Sequence, residues 1–422
     1  MKRSTLLNEQ ERLLLKKTAA NAEREIALHY VPGFGICPSQ SVGGNYYNQV
    51  WARDCCHATI HYFATAHPEA AVESLETLFR YQRPNGMLPL RVEREYELVK
   101  LTPVIGRYLA HPLFRLMHGG KERPVYEGQD FSGGKDTIPL ILLAVSALCD
   151  ATPLGQAFVE RHTDHIKKAV DYFLAQTDPQ DGLIAVPSLN PDWADSIERG
   201  GKLGTVNVLW TQGLKRLVAL YETMGMKDEA ARLRTTAACA QKSVLEKLWD
   251  KDGGCFRAEV QDDRLDTVAT LLGASYFLEA TEQVRVEEAL ERRVRCKTGL
   301  RNFDPPYPRG KIFFIHRFTG NAGYHNASAW PWVACQNIRL CARIAVQHPD
   351  AAVRDRYRNT ALADLILIAQ LFQSAGGACE IFRTDVPAPA RMLFYTPSKN
   401  FLGSLAGFLG AYRQLNVLGW IT

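Results

Sequence analysis

The chain has no apolar run long enough to span a bilayer. Its longest, Ile138 to Cys149, falls well short of the roughly 18 residues a membrane span needs. Nor does it open on the apolar core of a signal peptide: Met1 to Arg3 is soon followed by the polar stretch Leu7-Asn-Glu-Gln-Glu-Arg12. It has no CxxC pair and no cysteine–histidine spacing of the zinc-binding kind, although it carries ten cysteines. Several of these, Cys149, Cys239, Cys335 and Cys341 among them, sit in apolar helical stretches, which points to free thiols in a reducing compartment. A cytoplasmic protein is therefore expected. Neither sign of charge is gathered into a long run. Fifty basic residues stand against 45 acidic ones, a net charge of +5, and nothing calls for nucleic acid or an anionic membrane. GxSxG, HExxH, Walker and GxGxxG signatures are all missing. No Pro/Ser-rich linker and no fixed repeat period divides the 422 residues, so one domain spanning 1–422 is expected.

What the sequence does have is helical periodicity. Phe158, Val159, His162, Ile166, Ala169, Val170, Phe173 and Leu174 recur every three or four residues and mark one buried face. The segment before them, Asp136 to Cys149, is apolar nearly all round and must be covered on every side. The same alternation recurs in Val206–Tyr221 against Lys227–Asp250 and in Leu265–Leu278 against Thr281–Val294. With Leu7–Tyr30, Arg53–Ala66, Glu69–Gln82, Ala327–His348, Ala351–Gln373 and Lys399–Leu415, about twelve helices are expected by the apolar-period rule. Alternating buried and half-exposed helices predict an all-α fold of two concentric rings, an (α/α)6 barrel or six-hairpin toroid. Short turns such as Asp178-Pro-Gln-Asp-Gly-Leu and Asp250-Lys-Asp-Gly-Gly-Cys are expected after outer helices. The long Gly-, Pro- and aromatic-rich segments Val31–Val50, Gly119–Lys135, Asn190–Gly204, Arg301–His325 and Asp385–Pro397 are where a site would gather.

Cleavage of a glycosidic bond needs two flanking carboxyl groups, together with charged and aromatic side chains that grip hydroxyls and sugar faces. Four clusters offer these residue types. Tyr46-Tyr47-Asn48-Gln49-Val50-Trp51-Ala52-Arg53-Asp54 supplies rings and an Arg–Asp pair, although Asp54 would equally serve as a helix N-cap and Trp51 as a core anchor. Asn190-Pro-Asp-Trp-Ala-Asp-Ser-Ile-Glu-Arg199 packs acids around Trp193, with Asp195 the candidate general acid and Arg199 a candidate ligand of substrate; solvated turn chemistry fits the same residues. Gly320 to Trp332 holds His325, Asn326, Trp330 and Trp332 at a loop–helix junction. The fourth, Gly376-Gly-Ala-Cys-Glu380, places a carboxylate after a long helix, and Asp136 stands where an N-cap is expected by default. His57 and His61 share a helix face but have no acid between them.

These clusters together resemble the C-terminal amylo-α-1,6-glucosidase region of glycogen debranching enzymes. The likeness extends to a wider set of (α/α)6 glycosidases: trehalases, alkaline/neutral invertases, glucoamylases, and mannosyl- or glucosylglycerate hydrolases. Trp51-Ala-Arg-Asp54 resembles W-x-R-D, Trp193-Ala-Asp195-Ser resembles W-M-D-A, and Thr205-Val-Asn-Val-Leu-Trp210 resembles V-E-x-x-A-L-W. Gly299-Leu-Arg301 is similar to G-L-R-T, Tyr324 to Trp332 to Y-H-N-G-x-x-W-P-W, and Glu380-Ile-Phe to the late S/P-E-x-[FY] motif. The order holds from about residue 45 to 410. Asn207 replaces a usual Glu, Ala327 a usual Gly, and the tail Phe394-Tyr-Thr-Pro-Ser-Lys-Asn-Phe lacks Gln-x-W-S. A short saccharide therefore fits the resemblance as well as a glucan branch does.

The resemblance implies an inverting hydrolase with no metal or organic cofactor. Asp195 would be the proton donor, its pKa raised by an aromatic-walled pocket, and Glu380 the base on water. Inversion implies a carboxyl separation of about 6.5–9.5 Å. Tyr47, Trp51, Arg53, Asp54, Asp136, Trp193, Arg199, His325, Asn326 and Trp330 would bind the sugar. A sugar isomerase like the N-acylglucosamine 2-epimerases, or a non-catalytic sugar-binding barrel, are the alternatives; the oligomeric state is not legible.

Overall fold

The computed structural model describes residues 7–39, 49–94, 121–129, 133–188, 191–318, 320–392 and 395–421. Twelve helices carry the architecture: α1 (Glu9–Ala27), α2 (Ala52–Ala58), α3 (Pro68–Arg80), α4 (Thr137–Ala151), α5 (Pro153–Leu174), α6 (Gly204–Thr223), α7 (Lys227–Lys247), α8 (Thr267–Phe277), α9 (Ala280–Arg293), α10 (Pro331–Gln347), α11 (Ala351–Ala375) and α12 (Leu402–Val417). Helix α2 continues through a π-helical turn, Thr59–Phe63, into a last turn at Ala64–Ala66.

The even-numbered helices form a closed inner ring. Each packs on the next, α2 on α4, α4 on α6, α6 on α8, α8 on α10, α10 on α12, and α12 back on α2. Each odd-numbered helix lies outside an inner one, and α1 completes the last hairpin by packing on α12. This is the (α/α)6 barrel the hydrophobic pattern predicts. Physical reasons are local. Helix α4 is buried at nearly every position, as a helix surrounded by neighbours must be, whereas α9 buries one face and exposes its charged one. Helix α1 starts with a reciprocal capping box between Asn8 and Glu11. Helix α11 stops at Gly376, whose φ of 69° lies in the left-handed region. Gly204 at the start of α6 lies so near Arg257 that a Cβ there would sit 2.3 Å from its carbonyl oxygen.

The connections correct the sequence expectation. Turns of one to three residues follow the inner helices: Thr152 after α4, Met224–Met226 after α6, Leu278–Glu279 after α8 and His348–Asp350 after α10. The long connections follow the outer helices, and the Asp178 and Asp250 turns are only the first bends of two of them. Tight return turns leave no room for a site, so the described parts of the long segments collect at the end where inner helices begin. There they are braced by short antiparallel pairings. Gln49–Trp51 pairs with Arg91–Glu93, which pairs with Arg123–Val125, and Ser328–Ala329 pairs with Phe382–Arg383. All ten cysteines are free. No helix among the described residues is long and apolar enough to cross a membrane.

Candidate active site

The mouth of the inner ring is built from residues that the chain delivers at helix starts. Trp51 ends its strand and stands at the N-cap position of α2, its indole N–H donating to Gln49 Oε1 at 2.6 Å. The Arg91 guanidinium lies 4.6 Å from the Trp51 ring centre and is itself held by Glu93 at 2.6 Å. Arg53, in the first turn of α2, forks onto Asp136, donating from Nε to Oδ2 at 2.7 Å and from Nη2 to Oδ1 at 3.1 Å. Asp136 occupies the N-cap position of α4 but makes no cap hydrogen bond, because Arg53 takes both its oxygens. Its default capping role is thus replaced by a cross-link between two inner helices. Burial alone would lower the Arg53 pKa, yet the Asp136 carboxylate outweighs it and drives the value well up. Asp54 is half-buried in the first turn of α2, not at its N-cap.

Arg53 also reaches toward the candidate acid: its Nη1 is 3.8 Å from Asp195 Oδ2. On the other side, His325 Nδ1 lies 3.7 Å from Asp195 Oδ1. The same Nδ1 is 2.9 Å from Ser196 Oγ and accepts from the Ser196 backbone N–H at 3.4 Å. An N–H can only donate, so the His325 proton sits on Nε2. The Asp195 side chain is 38% exposed, so the protein alone does not supply the desolvation expected of it. The aromatic wall is present. Trp193 stands edge-on to His325, Trp330 and Trp332 at 5.3, 6.0 and 5.2 Å, and His325 stacks parallel on Trp330 at 5.1 Å. The Trp330 N–H donates to the Tyr324 carbonyl at 3.2 Å.

Glu380 is buried behind this wall. The Tyr324 hydroxyl donates to Oε1 at 2.5 Å, and the Tyr395 hydroxyl and the Ser398 N–H, the latter at 3.1 Å, donate to Oε2. Three donors converging on its two oxygens suit a carboxylate in its charged form. The Ala329–Phe382 pairing is what brings residues 324–330 alongside Glu380. Tyr324 and Tyr395 are the site residues that sequence reasoning passed over. The signal for Tyr324 was its place directly before His325; nothing local marked Tyr395.

Two predicted ligands of substrate are engaged elsewhere. Arg199 is buried and donates to both Asp192 oxygens at 2.8 and 2.6 Å and to Asp266 at 2.9 Å, over the face of Phe303. Burial opposes its charge, but the two aspartates outweigh burial and raise its pKa well above normal. Asp266 in turn caps α8 by accepting from Val268 and Ala269. Arg199 therefore locks a loop to a helix start. Asn326 spends its amide on the Tyr307 backbone, accepting at 2.7 Å and donating at 2.8 Å, so it shapes the loop beneath His325. Asn207 in α6 likewise closes on the backbone of Ile184 and of Leu203, just before that helix. Tyr47 lies outside the described residues. Among the described residues no group of three or more His, Cys, Asp or Glu side chains could hold a metal ion.

A closed ring of inner helices with carboxylates and tryptophans at its mouth is the frame on which the comparisons fall. Residues 46–208 match the family model of the mannosylglycerate hydrolase MGH1-like glycoside hydrolase domain, which supports a glycoside hydrolase of the (α/α)-barrel kind. A solved structure described as a wild-type glycosidase is similar with a TM-score of 0.64 at 16% identity, covering 97% of this chain and 99% of that one. A variant glycosidase in complex with glucose gives 0.63 with the same identity and coverage. The GH63 mannosylglycerate hydrolase from Thermus thermophilus, in complex with Tris, gives 0.60 at 14% identity, covering 94% and 99%. At these identities the likeness is one of fold. A comparison with curated proteins finds no match.

Proposed function

We propose that the whole chain is one catalytic domain that hydrolyses the glycosidic bond of a short saccharide or small glycoside, releasing a terminal glucosyl or similar residue with inversion. One observation carries this reading. Consecutive residues connect the two carboxylates, since His325 lies 3.7 Å from Asp195 while the Tyr324 hydroxyl bonds Glu380 at 2.5 Å. Asp195 gives its proton to the glycosidic oxygen as the bond to the anomeric carbon breaks. Glu380 takes a proton from the water whose oxygen forms the new bond, and solvent restores both groups. A sugar packed against Trp51, Trp193 and Trp330 would exclude the water that Asp195 now meets, so substrate itself completes the desolvation a general acid needs. Arg53, Asp54 and His325 would grip hydroxyls, whereas Asp136, buried with both oxygens on Arg53, holds that arginine in place rather than meeting sugar. The free cysteines fit a cytoplasmic enzyme.

The description of the matched family makes a glycosylglycerate the first compound to try, ahead of isomaltose, panose, limit dextrin, maltose, trehalose and sucrose. Sugar release from this panel, with Asp195→Asn alongside, is the test. Turnover of one member that vanishes in the variant is expected. If the variant turns over as fast as wild type, Asp195 is not the acid.

A further inference from the structure

The inner face of α2 carries a stripe that leads away from the mouth: Arg53, His57 and His61, each four residues after the last. At 1.5 Å per residue, His61 lies about 12 Å below Arg53. The His57 and His61 rings stack at 6.1 Å between centres. Both are enclosed by protein atoms yet retain accessible surface, so what they expose faces a space on the barrel axis. At the foot of this stripe stands Arg339, on α10.

Two buried arginines, Arg91 and Arg199, pair with Glu93 and with Asp192 and Asp266, and two partly exposed ones, Arg53 and Arg295, pair with Asp136 and Asp364; Arg339 is likewise partly exposed. Arg339 has no carboxylate within ion-pair distance among the described residues. Its Nη1 meets His61 Nδ1, and its Nε donates to Gln414 Oε1 at 3.2 Å. A guanidinium only donates, so His61 Nδ1 accepts and its proton sits on Nε2, which requires the Gln336 amide beside it to turn its oxygen toward the ring. Its other neighbours, Tyr276 and Cys335, are neutral groups at ordinary pH. Burial holds His57 down to about 4 and His61 well below its usual range, so both rings are uncharged as well. Burial also pulls the Arg339 pKa down, whereas Arg53, Arg199 and Arg295 are pushed up by their carboxylates. An arginine does not shed its proton to escape such a setting, and a cation deep among neutral groups, with what surface it keeps facing the same space as His57 and His61, favours an anion beside it.

We propose that Arg339 holds a small monovalent anion of chloride size in the axial space of the barrel, beneath the candidate active site. The anion supplies the charge that no described side chain gives. It also ties α10 to α2, the helix whose first turn carries Arg53. The site is independent of the reaction proposed above and stands or falls apart from it.

The test uses the full chain in chloride-free methanesulfonate buffer. Chloride or bromide then replaces methanesulfonate at constant ionic strength. The melting temperature of the wild type is expected to rise by about 2–4 °C at saturating halide, as binding to the native state alone requires. Arg339→Met, which removes the charge with little change in volume, is expected to melt at the same temperature in every anion. Should that variant fail to fold, wild-type crystals soaked in bromide decide the matter. Anomalous density beside the Arg339 guanidinium supports the site; water there, or a wild-type melting temperature indifferent to halide, overturns it.

Discussion

The Tyr324 hydroxyl donates to Glu380 Oε1 at 2.5 Å, and the Tyr395 hydroxyl closes on the second oxygen of the same carboxylate. A phenol on each oxygen fixes the plane of the group and leaves it little freedom to turn. Removing either hydroxyl as Tyr324→Phe or Tyr395→Phe takes away one charge-assisted hydrogen bond, worth about 1.5–3 kcal/mol. If that interaction aligns the base for water, kcat falls by about 10–100-fold with KM little changed. Steady-state kinetics on the turned-over compound checks it, and an unchanged kcat would separate the tyrosines from the chemistry.

The carboxylates themselves set a sharper test. Asp195→Asn and Glu380→Gln each keep the side-chain shape and remove the proton transfer proposed for that residue. Each is expected to lower kcat by about 10²–10⁴-fold. Binding of the product sugar, followed by calorimetry, should survive in both.

Arg199 calls for the opposite outcome. Arg199→Met leaves Asp192 and Asp266 buried without their shared cation, a change that costs about 3–5 kcal/mol. Denaturant titration should show that loss. Activity per folded molecule is expected to hold, because Arg199 faces two aspartates and a phenyl ring.

Glu287 on α9 predicts a dependence on pH. Burial, partly offset by Arg295, pushes its pKa from 4.5 up to about 8, and its Oε1 has no hydrogen-bond partner. A raised folded pKa means that the unfolded chain gives up its proton first. The stabilising contribution is therefore complete below about 4.5 and is lost as pH climbs through 8. One unit is about 1.4 kcal/mol, so the ceiling is roughly 5 kcal/mol. Glu287→Gln should match wild type near pH 4.5 and gain over it steadily toward pH 8. Thermal melts of the pair across that range measure the difference directly.

Helices were legible because burial in a two-ring fold writes itself as period and amphipathicity. Leu265–Leu278 is the instructive boundary. Its apolar start reads as helix, but Leu265 and Asp266 belong to a strand that pairs with Phe303–Asp304, and α8 begins only at Thr267. The site was legible in its residue types and much less so in their partners. Asp136 obeys the local rule for an N-cap position, yet Arg53, far upstream, claims its side chain. Arg199 sits in a loop rich in acids, and only the arrival of Asp266 from a later strand decides that it is structural. Partners distant in sequence leave no local mark, so neither assignment could be read from the chain alone.

The turns that follow the inner helices have a practical reading. Met224–Met226 and His348–Asp350 lie at the end of the barrel opposite Asp195 and Glu380. A tether attached there would hold the protein to a solid support with its mouth facing outward. Immobilised through either turn, every molecule presents the same open face to passing solute.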